Sequence, residues 1–135
     1  MKPALSHIQI NVHPENLRFY RDLMAFLAWS PLYEDPQTLG VGCAGGSVWF
    51  VGAATNASND YDGPGMNHLG LRAETQTDVD ATVAYLKERG VALLFETPRH
   101  RPEYAGGDDR TYYQVMFESP DRILLEVVYE GPKSA

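Results

Sequence analysis

Residues 5–12 read LSHIQINV, and residues 66–73 read MNHLGLRA. Each stretch puts a histidine third, His7 and His68, ahead of alternating apolar residues, and each runs into a helical pattern. Alternation with a period of two marks a strand with one buried face. In the first stretch Ile8, Ile10 and Val12 share one face, and His7, Gln9 and Asn11 share the other. In the second, Leu69, Leu71 and Ala73 oppose His68, Gly70 and Arg72. The apolar faces are suited to cover helices, which leaves both histidines on a polar face. A simple packing histidine would not produce that pattern twice.

Outward from these stretches the chain repeats one plan. Pro14 suits the first turn of a helix, and PENLRFYRDLMAFL carries Leu17, Tyr20, Leu23, Met24 and Leu27 at helical spacing. Short extended runs follow at Ser30–Glu34, Thr38–Gly42 and Ser47–Gly52, the last two parted by Gly45-Gly46. After the second stretch, a helix is predicted over about Asp78–Arg89, with Thr77 as N-cap, Val79, Val83 and Leu86 on one face, and Gly90 as the stop. Then come VALLFE, TYYQVMF and ILLEVVY, the last pair joined by a turn at Ser119-Pro120-Asp121-Arg122. The order is βαβββ twice. The expected fold is α+β: two tandem βαβββ modules forming a curved mixed-sheet cup with the helices outside. One domain spans residues 1–135, with module one at about 4–53, a polar, glycine-rich connector at about 54–65, and module two at about 66–130.

Composition narrows the function classes. A chain of 135 residues with 44% apolar residues can bury a real core. No apolar run approaches eighteen residues and no signal-peptide pattern is present, which reads as a soluble, cytoplasmic protein with no membrane partner. The single Cys43 excludes a disulfide framework and a multi-cysteine zinc site. A net charge of −7 with scattered Lys and Arg argues against a nucleic-acid partner and would tolerate a cationic small molecule.

Glu126 stands in the middle of ILLEVVY, flanked by apolar residues. A buried carboxylate there costs several kcal/mol unless something positive compensates it. The partner is either a metal cation or an arginine, and Arg72, on the same face as His68, is the arginine within the pattern. Two imidazoles and a carboxylate, His7, His68 and Glu126, would form a 2-His-1-carboxylate set that leaves positions open for substrate or water.

The doubled plan, the His7 strand running into HPENLRFYRDLM, the His68 strand running into DVDATVAYL, and the tail YYQVMFESPDRILLEVVY together resemble the vicinal oxygen chelate superfamily. That group includes glyoxalase I, extradiol dioxygenases, fosfomycin-resistance enzymes and bleomycin-binding proteins. The resemblance covers about residues 4–130. Where the family usually ends in a stretch like DPDGxxIEL, this chain has SPDRILLEV, with Ser119 and Arg122 at turn positions. The resemblance implies a homodimer and a divalent metal (Fe, Mn, Co, Ni or Zn) held by His7, His68 and Glu126. It also implies an enzyme acting on a small oxygen-bearing substrate as a lyase, isomerase, transferase or dioxygenase. The alternative it implies is a metal-free binding protein of the bleomycin-resistance type.

Glyoxalase I would require a second carboxylate on the mirrored strand of module one. Counting four residues past Gly46, as Glu126 lies four past Arg122, lands on Phe50, which cannot ligate a metal, so glyoxalase I activity is disfavoured. No catalytic base is assigned. The polar stretch 99–111, RHRPEYAGGDDRT, reads as a solvated loop or as a lid bringing His100, Glu103 or Tyr104 to a substrate. His13 reads as a cap or surface residue, and Trp49 and Phe50 as core and pocket wall. Tyr112 and Tyr113 face opposite ways, so only one enters the cup, and His100 with Tyr113 are the candidates for ring-cleavage chemistry. Non-redox chemistry ranks above ring cleavage.

Overall fold

The computed structural model describes residues 1–133, which form two compact units, one over Met1–Ser58 and a second that begins at Asn59. In the first, β1 (His7–Val12) is followed by a short 3-10 turn, Pro14–Asn16, and by α1 (Leu17–Phe26). Then come β2 (Ser30–Asp35), β3 (Thr38–Cys43) and β4 (Gly46–Gly52). The sheet order is β1-β4-β3-β2, with β1 parallel to β4 and the remaining pairs antiparallel. The second unit repeats the order with β5 (Leu69–Arg72), α2 (Gln76–Glu88), β6 (Leu94–His100), β7 (Arg110–Glu118) and β8 (Leu124–Pro132). Its sheet runs β5-β8-β7-β6, again with the outer pair β5 and β8 parallel. The α+β reading as two βαβββ modules holds.

The helices form where the periodicity places them. Leu17, Tyr20, Leu23 and Met24 of α1 are buried, as are Ile10, Val12, Val48 and Phe50 of the sheet, and the Tyr20 and Phe50 rings stack with centroids 4.3 Å apart. Gly46, at φ +143°, starts β4 where a Cβ would come within 2.8 Å of the Ser6 carbonyl oxygen, so only glycine fits this turn. The second helix begins earlier than expected. Its N-cap is Thr75, not Thr77: the Thr75 side chain accepts from the Asp78 N–H and Asp78 accepts from the Thr75 N–H. That reciprocal capping box satisfies two donors at once, which Thr77 cannot do. Gly90, at φ +69°, ends the helix as expected.

The largest departure is at β6. VALLFE is expected as a strand, but pairing is interrupted between Leu94 and Arg99, where Phe95 and Glu96 take positive φ values of 56° and 59°. Thr97 Oγ1 holds the bulge, donating to the Leu94 carbonyl at 2.7 Å and accepting from the Met116 N–H at 2.9 Å. Beyond it the strand resumes through His100, which pairs with Tyr113. Half of the expected 99–111 loop is therefore regular: strand to His100, then a 3-10 turn over Pro102–Tyr104.

Candidate metal centre

The second unit gathers a polar cluster on one face of its sheet. In β8, Leu125 and Val127 pair with Leu69 and Leu71 of β5, while Glu126 lies opposite Gly70. Alternation turns Glu126 away from the core, onto the face that also carries Tyr61, Met116 and Leu124. Only 2% of Glu126 is exposed, so its carboxylate must be met in full. Oε1 accepts from the Tyr112 hydroxyl at 2.6 Å and from Gln114 Nε2 at 2.8 Å, both on β7. Oε2 lies 2.9 Å from His68 Nε2. A methyl at Gly70 would sit 3.6 Å from Oε2, so glycine keeps that side of the carboxylate open.

The His68 ring is oriented by its neighbour. Asn67 Nδ2 donates to the Tyr61 carbonyl at 2.9 Å, which turns Asn67 Oδ1 toward His68 Nδ1 at 2.7 Å. An amide oxygen only accepts, so Nδ1 carries the proton. A neutral His68 then points the bare Nε2 lone pair at a carboxylate oxygen. Two electron-rich atoms at 2.9 Å need a proton or a metal cation with them, and this tautomer is the one a metal-binding imidazole uses. These two atoms could serve as two ligands of a divalent metal.

These atoms line a cavity of about 560 Å³, within the range of small-molecule sites. Its wall includes Asp62, Phe95, Arg101, Tyr104 and Tyr112. Burial, then the hydrogen bond to Glu126 and its charge, push the Tyr112 phenol above its ordinary value, so it stays a proton donor to Glu126.

Several expectations change here. Arg72 is not the partner of Glu126; it donates to Glu130 at 2.8 Å, four residues further along β8 and at the surface. Tyr112, not Tyr113, enters the site. Tyr113 donates to Asp80 of α2 at 2.7 Å, and burial first, with Asp80 second, pushes its phenol up to about 12. His100 contacts Thr111 Oγ1 and the Tyr113 ring, and lines a separate cleft with Pro102, Arg110 and Lys133. Of the stretch 99–111, Arg101 and Tyr104 reach the cavity, while Glu103 binds Arg101. The alternation in TYYQVMF puts Tyr112 and Gln114 on one face, and only the pairing of β7 with β8 shows that it is the face of Glu126. Arg101 and Asn67 left no such signal.

His7 opens β1 in the first unit, paired with Ser47 and with Nδ1 3.0 Å from Ser6 Oγ. Gln9 donates to Asn11 at 3.1 Å on the same face, so the polar face of β1 is as expected. Among the described residues no three His, Cys, Asp or Glu side chains converge as a metal cluster; His68 and Glu126 are the pair that meet. The mirrored position of Glu126 is Trp49, not Phe50. Two residues after His7, Gln9 pairs with Trp49, as Gly70, two after His68, pairs with Glu126. The count to Phe50 fails because the two turns differ in length. Trp49 lies over Gly40, where a Cβ would come within 2.5 Å of the ring. The mirrored site still lacks a carboxylate.

The family model of the Glyoxalase/Bleomycin resistance protein/Dioxygenase superfamily matches residues 4–127. The chain belongs to this superfamily. Among solved superfamily structures, a candidate glyoxalase from Bacillus halodurans is 28% identical at a TM-score of 0.76, covering 93% of this chain and 94% of that one. Fosfomycin resistance protein FosX from Listeria monocytogenes, solved with Mn(II) and sulfate, shares the fold at a TM-score of 0.68 and 20% identity, covering 96% and 92%. The Bacillus subtilis protein YqjT is 41% identical over 64 residues, 47% of this chain and 46% of that protein. This chain thus matches about half the length of that curated relative.

Proposed function

We propose that this superfamily member is a divalent-metal-dependent enzyme acting on a small oxygen-bearing substrate, with His7, His68 and Glu126 as the metal ligands. The observation that carries the reading is the facing of His68 Nε2 and Glu126 Oε2 at 2.9 Å, with the Nδ1 proton fixed by Asn67. His7 is assigned by its place in the duplicated sequence. A cation held by this set would polarise a bound substrate oxygen as a Lewis acid. The residues around it prepare the site. Tyr112 and Gln114 pin Oε1 so that Oε2 is offered on the cavity side, Asn67 holds the imidazole, and Phe95, Met116 and Leu124 supply an apolar part of the wall. Two imidazoles and a carboxylate suit Fe, Mn, Co, Ni or Zn.

Lyase, isomerase or transferase chemistry ranks above ring cleavage, because His100 and Tyr113, the acid–base pair read from the sequence, lie outside the cavity. Glyoxalase I chemistry is disfavoured by Trp49 at the mirrored position. No helix among the described residues is long and apolar enough to cross a membrane; a homodimer belongs to the proposal on the sequence resemblance, and a cytoplasmic location on the composition of the chain. FosX, which shares the fold, was solved with Mn(II), and that supports testing manganese first. The test is elemental analysis of the purified protein, then reconstitution of the apoprotein with Fe(II) or Mn(II) and addition of a catechol under air. Metal retained by the wild type and lost in His68→Ala supports the reading. Oxygen uptake with iron alone would reverse the ranking of chemistries. Binding of a bulky cationic drug by metal-free protein, with no metal uptake, would make it a sequestration protein.

A further inference from the structure

We propose that the cavity beside His68 and Glu126 takes a small anionic substrate, a carboxylate or a phosphonate, and that Arg101 is the residue that selects it. The inference rests on the reading of His68 and Glu126 as the reacting end of the cavity. Arg101 is tied to β7 through its backbone N–H, which donates to the Tyr112 carbonyl at 2.7 Å, and its side chain is only 21% exposed. Nη1 donates to Gln114 Oε1 at 3.2 Å, and Gln114 Nε2 donates to Glu126 Oε1 at 2.8 Å. One amide therefore separates the guanidinium from the carboxylate. A substrate held at the His68–Glu126 end of the cavity would share the same lining with Arg101.

The guanidinium has donors to spare. Of its five N–H groups, Nε is engaged by Glu103, one on Nη1 by Gln114, and Nη2 lies 3.5 Å from the Tyr104 hydroxyl, at the limit of a hydrogen bond. The remaining fork matches the two oxygens of a carboxylate or phosphonate. Glu103 meets the guanidinium from outside the cavity lining and is itself half exposed, so water screens that pair more than the inner face.

The acidic chain and the aromatic wall would otherwise suggest a cationic guest. The ring face such a guest would use is taken: Arg101 Cζ lies 4.9 Å from the Tyr104 ring centroid. Asp62 and Glu126 also line the cavity, so it is the free donors of the Arg101 fork, and not the net charge of the lining, that favour an anion there.

The test is calorimetric titration of the metal-free and Mn(II)-loaded full chain with methylphosphonate, glycolate and choline. Methylphosphonate and glycolate distinguish the two anion sources. Anion binding is expected in the wild type, weakened roughly ten- to hundredfold by Arg101→Gln, partly restored by Arg101→Lys, and tightened by Glu103→Gln. Mn(II) affinity is expected to be unchanged in all three variants. Should the wild type bind no Mn(II) while anion binding still depends on Arg101, the metal assignment fails and this inference stands. Equal anion affinity in wild type and Arg101→Gln, or preference for choline, overturns it.

Discussion

Glu126→Gln separates a metal ligand from a packing residue, because the structure shows what the amide would meet. Its oxygen can take the place of Oε1 and keep both the Tyr112 hydroxyl and the Gln114 amide as donors. Its nitrogen then faces His68 Nε2, whose lone pair accepts the new N–H. The Tyr112 and Gln114 donors keep their acceptor, one of the two amide N–H groups is met by His68, and no cation is stranded, since Arg72 is satisfied by Glu130 at the surface. The expected cost in folding stability is below about 1 kcal/mol. An arginine-paired Glu126 would instead lose about 3–5 kcal/mol on the same change. Glu126→Ala leaves the Tyr112 and Gln114 donors unpaired in a site that is 2% exposed, at about 1–3 kcal/mol for each group, before any cavity term. Urea unfolding of the three proteins without metal measures these differences. Calorimetric Mn(II) titration of the same samples measures the ligand role. Glu126→Gln is expected to weaken Mn(II) by more than the roughly 10- to 100-fold typical of losing a supporting hydrogen bond. Equal destabilisation by Gln and Ala would refute the hydrogen-bond assignment, and undiminished Mn(II) binding would refute the metal centre.

Asn67→Ala should free the His68 ring and lower Mn(II) affinity by about 10- to 100-fold while leaving the thermal midpoint of the metal-free protein within about 2 °C. Thr75→Ala should cost about 1 kcal/mol in urea unfolding, whereas Thr77→Ala should stay within about 0.5 kcal/mol; the reverse order would restore Thr77 as the cap. Tyr113, with its phenol raised to about 12 by burial and Asp80, binds its proton more tightly folded than unfolded. Its contribution is complete below the unfolded value of about 10 and is lost as pH rises from there through about 12. Ultraviolet titration of the phenols should show late-titrating tyrosines, one fewer in Tyr113→Phe while Tyr112 remains, and an unchanged late amplitude in that variant would refute the assignment to Tyr113.

The duplication was legible because its signals are local. An alternation such as HIQINV or a spacing such as Leu17, Tyr20 and Met24 declares the element and its buried face whatever the chain does elsewhere. His68 and Glu126 stood out for the same reason, as polar side chains set in apolar strands. What crosses between strands was not local. The β3–β4 turn leaves two residues between its paired ends and the β7–β8 turn leaves five, so a count started in the turn slips to the opposite face, and that difference put Trp49 where Phe50 was expected. The bulge at Phe95 and Glu96, with left-handed backbone that favours neither residue type, reset the course of the chain leading to Arg101. Only the folded sheet decided that Tyr112 and Gln114 hold Glu126, that Arg72 belongs to Glu130, and that Arg101 reaches the cavity wall. Each of those outcomes depends on register and on the reach of a long side chain, which are fixed by how strands pair and not by any one segment's pattern.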